Sequence, residues 1–368
     1  MEKYRSKRIV FFSRSLEVGG MEKALLSLLN ELAKKEYDIT LYLESCTGAL
    51  LGRLDGRIKL KEYRLSTINF PLIRKTINLL HRLLWTAKNR NKYDFSCCFA
   101  TYSLICGKLA LASSENSSLY VHSDYLGYYQ KNKKLTEDFL RSIFISEYKN
   151  VFFVSNESME NTASVFPELA DRFSVVNNII DPDEVIARSG ERADTPLENG
   201  CTNLLYVGRL DDSSKDFKLM LKSFEKAHEQ NPALRLYLIG DGPDKGMIES
   251  FIDQNGIGQV YLLGEKENPY PYIKACDAMI LTSKYEGYPV VYTEALILNK
   301  PFITTVPVSD GVIDVRDHFT IADGTVESIS EAMMRAGTET ADLNIDFKRI
   351  NRERLLKFEK KINERTIK

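Results

Sequence analysis

Four charged residues in the second half of the chain lie where predicted strands end, and their types and spacing could support binding chemistry. Arg209 directly follows one predicted strand, and Lys215 comes six residues after it. Glu286 follows a later predicted strand, and Glu294 comes eight residues after Glu286. Because a proline favours the first turn of a helix, Pro289 predicts that Glu286 lies in a loop and Glu294 about one turn into the next helix.

These residues predict a site for an anion that also carries hydroxyl groups. An α/β sheet presents ligands at the carboxyl ends of its strands, where the two cations and the amino end of the helix after Pro289 would meet. The helix dipole and the unpaired backbone N–H groups make such a helix end attractive to phosphate. The two carboxylates beside the anion would suit sugar or ribose hydroxyls, because they would repel a second anion.

The elements that must position this site follow an alternating pattern of strands and helices. Near the amino terminus, an apolar run at residues 8–13, the pair Gly19-Gly20, a leucine-rich helix and a second apolar run at residues 39–43 form a β-α-β unit. Such a unit predicts a parallel sheet. The alternation restarts near residue 203, and glycines follow four of the strands predicted there, namely Gly208, Gly240, Gly264 and Gly287.

A segment rich in Pro, Gly and charges at residues 181–202 predicts a linker between two domains. A chain of 368 residues is also long enough for two domains. We therefore expect an α/β protein with two Rossmann-like, doubly wound domains and a cleft between them. The first domain would span residues 1–180 and the second residues 203–343, followed by a charged helical tail at residues 344–368.

Composition excludes several classes of protein. The net charge of −1 argues against a nucleic-acid binder, although residues 1–180 carry a balance of +7, from 26 basic and 19 acidic residues. The six Cys form no C-x-x-C, and none of the four His lies near a Cys at metal-ligand spacing. The apolar run near the amino terminus is too short for a signal peptide, and no run approaches the roughly 20 residues of a membrane span. We expect a reduced cytoplasmic protein without structural zinc.

The segment Ser283-Lys-Tyr-Glu286-Gly-Tyr-Pro-Val-Val-Tyr-Thr-Glu294-Ala295 is similar to the E-x7-E motif of the family 4 glycosyltransferases. Five shorter matches occur in the family's order: Gly19-Gly20-Met21-Glu22, His122-Ser123-Asp124, Asn177-Asn178, Val207-Gly208-Arg209-Leu210 and Ile239-Gly-Asp-Gly-Pro243. The resemblance implies the GT-B fold of two Rossmann-like domains and transfer of a sugar from a nucleotide donor with retained configuration.

The resemblance also implies roles on the donor side of the site. Arg209 and Lys215, after Gly208, would hold the diphosphate of the nucleotide sugar. Glu294 would bind the ribose hydroxyls, and Glu286 would bind hydroxyls of the transferred sugar. The rest of the loop, Gly287-Tyr288-Pro289, would complete the donor site.

Other matching residues would act at the base and on the acceptor side. The backbone at Gly264, Glu265 and Lys266 would contact the base. Gly19 and Gly20 would let the N-terminal loop approach the donor phosphate and sugar. His122 would lie on the acceptor side, and it completes the candidate catalytic set with Arg209, Lys215 and Glu286.

Several of these features have a second interpretation. Asp181-Pro-Asp183 has the D-x-D form of a metal site, but it does not end a strand, so a turn and helix cap is favoured. We therefore expect no metal. Taken alone, Arg209 and Lys215 could be solvated surface charges, and Glu294 a first-turn acid that favours the helix dipole. His122 could be a core histidine with satisfied hydrogen bonds.

A basic amphipathic helix is predicted at residues 71–91, within a stretch from 63 to 93 that has seven Lys or Arg and no acid. One face carries apolar residues: Ile73, Ile77, Leu80, Leu84 and Ala87. The other carries basic residues with Trp85 among them: Arg74, Lys75, His81, Arg82 and Lys88. Such a helix could lie on the inner face of an anionic membrane through this basic, aromatic side. It could equally pack its apolar face on the N-terminal sheet.

The predicted function is hexosyl transfer from a nucleotide sugar, expected to carry UDP, with no further cofactor. The expected acceptor is a glycan or lipid-linked glycan in the synthesis of a cell-surface polysaccharide such as capsule or exopolysaccharide. A nucleotide-sugar epimerase on the same fold is one alternative. A non-catalytic partner subunit of a transferase pair is another, although the presence of Arg209, Glu286 and His122 disfavours it.

Overall fold

The computed structural model describes residues 6–337 and 345–364 and divides the chain into two α/β units. The first unit contains the residues up to Ile180 together with those from Asn351 onward, and the second runs from Asp181 to Ile350. Of the predicted C-terminal tail, residues 344 and 365–368 lie outside the described residues.

A parallel sheet forms the centre of the first unit. Its strands are β1 (Lys7–Ser13), β2 (Tyr37–Leu43), β3 (Lys59–Glu62), β4 (Phe95–Cys98), β5 (Ser117–Val121), β6 (Asn150–Phe153) and β7 (Phe173–Val175), in the order β3-β2-β1-β4-β5-β6-β7. Its helices are α1 (Gly20–Ala33), α2 (Pro71–Asn89), α3 (Leu104–Ser113), α4 (Tyr125–Tyr128), α5 (Lys133–Ser142) and α6 (Asn156–Ala163). The centre of β1, Ile9 to Phe12, is an unbroken apolar run that is fully buried, because both faces of a parallel sheet are covered.

The side of α2 that packs on the sheet is not the one predicted from the sequence. Trp85, expected on an exposed side, packs its ring against Phe12, Tyr42 and Tyr63 at centroid distances of 5.9, 5.4 and 6.0 Å. An indole offers more apolar area and better edge-to-face contacts with these rings than a leucine does. The aromatic side of α2 is therefore the one that packs on the sheet, and the leucine and isoleucine side is exposed.

The last helix, α14 (Phe347–Asn363), packs on the sheet of the first unit. Phe358 is fully buried, and its ring lies 6.0 Å from that of Phe11. Leu355 and Ile362 are buried on the same side of the helix, at positions three before and four after Phe358. The predicted charged tail thus carries an apolar stripe that its high overall charge conceals.

A second parallel sheet forms the centre of the second unit. Its strands are β8 (Thr202–Val207), β9 (Leu234–Ile239), β10 (Val260–Gly264), β11 (Ala278–Leu281), β12 (Phe302–Thr304) and β13 (Thr320–Ile321), in the order β10-β9-β8-β11-β12-β13. Its helices are α7 (Pro182–Ser189), α8 (Asp212–Lys215), α9 (Phe217–Gln230), α10 (Lys245–Asn255), α11 (Tyr270–Ala275), α12 (Val290–Ile297) and α13 (Val326–Arg335). The chain order reverses between β8 and β11, which is where doubly wound sheets bind ligands.

The predicted linker, residues 181–202, is folded onto the second unit. Asp181 accepts hydrogen bonds from the backbone of Asp183 and caps α7, so the D-x-D sequence forms a helix start. The helix α7 packs against α11 and α12. Further along, Glu198 pairs with Arg235 of β9 at 2.7 Å. These contacts explain why a segment rich in Pro, Gly and charges is ordered as part of a unit.

Candidate functional site

Two loops of the second unit meet at the carboxyl ends of β8 and β11, because these strands are direct neighbours. The hydroxyl of Thr282 donates to the backbone carbonyl of Lys215 at 2.9 Å. The backbone N–H of Lys284 donates to the carbonyl of Ser214 at 2.8 Å. The predicted cation Lys215 and the predicted E-x7-E segment are thus held side by side.

The side chains of Lys215 and Glu286 form an ion pair across these two loops. Ser283 donates to the same carboxylate oxygen of Glu286 at 2.5 Å. The side chains of Lys215 and Glu286 are 18% and 11% exposed, so this is a largely desolvated pair rather than two solvated charges. A Lys in this position has further N–H donors that can reach a second anion.

Glu294 lies in α12, which begins at Val290 as the position of Pro289 predicts. Glu294 is only 2% exposed, and its carboxylate accepts a hydrogen bond from the hydroxyl of Tyr270 in α11 at 3.0 Å. It lies beyond the first turn of α12, so a role as a first-turn dipole acid does not describe it. Sequence reasoning missed Tyr270, which belongs to no motif and is 24 residues away.

Arg209 is exposed at the end of β8, and glycines of the next loop position its backbone. A Cβ on Gly240 would lie 1.8 Å from the carbonyl oxygen of Gly208, and one on Gly242 would lie 2.2 Å from that of Leu210. Only glycine allows the two loops to pass this closely. The Gly-Asp-Gly match therefore has a structural reason, which is the support of the Arg209 loop.

The side chain of Tyr288, a predicted donor-site residue, is buried: it is 3% exposed and packs beside Tyr292 with 6.1 Å between ring centroids. Gly287 is buried as well, whereas Glu286 and Pro289 are partly exposed. Burial and the nearby charge of Glu286 raise the pKa of Tyr292 well above its usual range. The loop is thus supported by the buried side chains of Tyr288 and Tyr292.

The predicted base-contacting segment follows β10, where Gly264 has a φ of +70°. Glu265 is exposed, and Lys266 pairs with Asp194 at 2.7 Å. This hydrogen bond from Lys266 is the main reason why the pKa of Asp194 falls to about 2. Asp194 also accepts a hydrogen bond from Tyr272, and neither residue was singled out from the sequence.

In the first unit, Gly19 and Gly20 form the start of α1, where a Cβ on Gly19 would meet the Glu22 carboxylate at 2.2 Å. Burial raises the pKa of Glu22. His122 follows β5, and its ring stacks on Tyr120 at 4.7 Å. Burial lowers the pKa of His122 to about 3, which leaves the ring neutral at physiological pH.

The Nε2 atom of His122 is buried and has no hydrogen-bond partner among the described residues. A histidine that only filled the core would have its polar atoms satisfied. This nitrogen is one of several such buried atoms, Ser13 Oγ and His228 Nδ1 among them, and a ligand-facing role for His122 stays a prediction. Among the described residues, no group of three His, Cys, Asp or Glu could hold a metal ion.

Comparison with known proteins decides the family. HepE of Anabaena, solved in complex with UDP and glucose, has the same fold over 97% of this chain and 98% of its own, with a TM-score of 0.72 and 15% identity. Residues 18–184 match the family described as Glycosyltransferase Family 4, and residues 201–338 match Glycosyl transferases group 1. The chain belongs to the GT-B glycosyltransferases. Of the candidate residues of this glycosyltransferase, Gly19, Gly20 and His122 lie in the family 4 part and the others in the group 1 part.

Two curated relatives align with less than half of this glycosyltransferase. An uncharacterized glycosyltransferase of Methanocaldococcus jannaschii is 28% identical over 44% of this chain and 41% of its own length. The N-acetylgalactosamine-N,N'-diacetylbacillosaminyl-diphospho-undecaprenol 4-alpha-N-acetylgalactosaminyltransferase of Campylobacter jejuni is 25% identical over 48% of this chain and 47% of its own. The chain thus spans less than half the length of these curated relatives. Others are named for lipopolysaccharide or amylovoran biosynthesis. Among the described residues, no helix has the length and apolar character of a membrane span.

Proposed function

We propose that this glycosyltransferase moves a hexosyl group from a UDP-linked sugar to a lipid-linked glycan, with retained anomeric configuration and without a metal. The observation that carries the proposal is the Lys215–Glu286 pair, which joins the segment that follows β8 and contains Arg209 to the loop that leads into α12. It combines cations for a diphosphate with a carboxylate for hydroxyls in one place.

The cations would act on the leaving group. Cleavage of the donor's glycosidic bond places negative charge on the departing UDP, and fixed positive groups stabilise that charge most when they are already in position. Lys215 is held in place by Glu286 and by the loop contacts, and Arg209 lies earlier in the same segment, two residues after the end of β8. The amino end of α12 adds backbone N–H groups. Together these groups would take over the role that a metal has in other transferases.

The Lys215–Glu286 pair would also prepare the donor site before binding. With the pair formed, neither charge is left uncompensated in a largely buried position. When a diphosphate binds, Lys215 can direct its remaining N–H donors to phosphate, while Glu286 accepts from sugar hydroxyls. Glu294, oriented by Tyr270, would bind the ribose hydroxyls in the same way.

The names of similar proteins support the donor and the acceptor. The HepE structure contains UDP and glucose, which supports a UDP-hexose donor. The Campylobacter relative is named for a diphospho-undecaprenol acceptor, which supports a lipid-linked glycan. Several relatives named for lipopolysaccharide biosynthesis support a role in a cell-surface polysaccharide. We place the reaction in the cytoplasm.

A panel of UDP, GDP and ADP sugars tests the proposal without an acceptor. The purified chain should slowly hydrolyse a UDP-hexose to UDP and free sugar, equally well in EDTA, and proton NMR should first detect the anomer that the donor carries. An isomerised nucleotide sugar without free sugar would indicate an epimerase. Loss of turnover in EDTA, or initial release of the opposite anomer, would contradict metal independence or retention, respectively.

A further inference from the structure

The helix α2 presents its apolar side to solvent instead of to the sheet. Of the nineteen large apolar side chains that are exposed among the described residues, ten lie between residues 65 and 84. Leu72, Leu80 and Leu84 are 80%, 54% and 72% exposed. A soluble domain rarely exposes so many neighbouring apolar side chains without a partner.

The exposed side is a continuous arc of the helix. At 100° per residue, Leu72, Leu83 and Leu80 fall within 80° of one another, while Trp85 lies on the opposite side. Trp85 is the anchor, because it contacts rings of β1 and β2. With that anchor in place, the leucine arc must point away from the sheet.

The first turns of α2 are exposed throughout, from residue 71 to residue 77. Trp85 contacts Phe12 and Tyr42, which lie near the carboxyl ends of β1 and β2. The helix starts fourteen residues earlier, so at 1.5 Å per residue about 21 Å of helix precedes this contact. The loop before α2 folds along it, since Asn78 accepts a hydrogen bond from the backbone of Ser66 at 2.7 Å. We name residues 64–84 the arm.

The arm and the turn of helix after it are basic. Residues 63–93 contain seven Lys or Arg and no Asp or Glu. On the helix, Lys75 and Lys88 lie at the two borders of the leucine arc, and both are exposed. An apolar arc bordered by cations matches a bilayer whose headgroups are anionic and whose acyl chains are apolar.

We propose that the arm binds an anionic lipid surface, with the leucine arc inserted among the acyl chains and the bordering cations among the headgroups. A second copy of the chain fits less well, because a two-fold contact through the arm would place two wholly basic segments against each other. The loop before α2 lies at the carboxyl edge of the sheet, the edge that also carries Gly19 and His122. Lipid binding would thus bring the membrane to the edge where an acceptor is expected.

Vesicle flotation tests the arm, with the purified full-length chain and liposomes of phosphatidylglycerol and phosphatidylcholine. Binding should be present at low salt and should fall at least tenfold in 1 M NaCl, where the screening length is about 3 Å. Replacing Arg74, Lys75 and Lys88 by Gln should weaken binding roughly 100-fold at low salt, at about fivefold per cation. Leu80→Ser with Leu84→Ser should weaken it by roughly 10- to 100-fold.

A control variant with Leu104→Ser and Leu135→Ser removes two leucines that are 47% and 49% exposed elsewhere in the same unit, and it should bind like the wild type. Trp85 is the one tryptophan of the chain, so its fluorescence reports whether α2 stays docked. Its emission maximum should not shift in any variant. Hydrolysis of a UDP-hexose should also stay unchanged in the arm variants.

Three results would overturn the proposal. The first is no flotation at low salt. The second is flotation that the arm variants and the control weaken equally, which would assign binding to another surface. The third is dimerisation without vesicle binding: sedimentation velocity would detect a concentration-dependent dimer of the wild type, and the Leu80→Ser, Leu84→Ser variant would abolish it. That result would assign the arm to a second copy of the chain.

Discussion

The Lys215–Glu286 pair allows the sharpest test of the donor site. We would replace Lys215 by Met and Glu286 by Gln, singly and together, because both substitutions remove the charge and nearly keep the side-chain length. Each residue is more than four-fifths buried, so each charge has few alternative partners in water. If the two residues contact different parts of the donor, each single variant loses a charged hydrogen bond worth roughly 1.5–3 kcal/mol.

That energy corresponds to a loss of roughly 10- to 150-fold in kcat/KM for each single variant, at about 1.4 kcal/mol per factor of ten. Since the losses concern separate donor groups, the double variant should lose about the product of the two single losses, roughly 100- to 20,000-fold. If the pair were only structural, the kcat/KM of the double variant would be no lower than that of the less active single variant. Removal of both charges would then leave no unpaired charge in a buried position. That result would refute the assignment.

The assay is donor hydrolysis or transfer under initial-rate conditions, with thermal unfolding as a check that each variant folds. Lys226 and Glu327 provide a matched control pair at 2.6 Å in the same unit, with side chains 40% and 68% exposed. The corresponding Lys226→Met and Glu327→Gln variants should leave kcat/KM unchanged. Their effect on the free energy of unfolding should not exceed about 1 kcal/mol, because the pair is solvated.

Three further predictions follow from the same geometry. Arg209→Ala should lower kcat roughly 100- to 1,000-fold, as for other fixed electrostatic donors, whereas the exposed control Arg316→Ala should not; wild-type turnover would remove Arg209 from the mechanism. Tyr270→Phe should raise the donor KM roughly tenfold with little change in kcat. The hydrogen bond from Tyr270 positions Glu294, and we expect Glu294 to bind the ribose equally in the ground state and in the transition state; an effect on kcat alone would contradict this. His122 has a folded-state pKa near 3, below its unfolded value, so unfolding takes up a proton and stability should fall as the pH drops from about 6.5 towards 3. The His122→Gln variant should show a shallower fall of the denaturant midpoint over this range.

The parts of the site that the sequence predicts are those encoded within one strand-loop-helix segment. Glu286 and Glu294 follow this rule, because Pro289 and the preceding apolar run together place one in the loop and the other in α12. Lys215 follows it too, as the last residue of α8, the short helix after β8. The sequence does not show that Lys215 and Glu286 pair, because that contact joins loops 71 residues apart.

The misassigned and missed features depend on distant partners. Tyr270 gains its role only because α11 brings it to Glu294, and nothing near it in sequence marks that contact. Trp85 was assigned by charge to the exposed side of α2, whereas the ring surface of β1 and β2 decides which side is buried. Helical periodicity identifies two faces of a helix but not the surface that each will meet.

The packing of α14 has a consequence for synthesis on the ribosome. Phe358 covers Phe11 and Phe152 of the first unit, and Arg354 donates to the carbonyl of Asn178 at 3.0 Å. A nascent chain that has left the exit tunnel only up to residue 340 therefore has one face of its first sheet uncovered. The first unit therefore completes its core only after the second unit has been made, and its exposed apolar face is the region that a chaperone would have to protect until α14 has emerged.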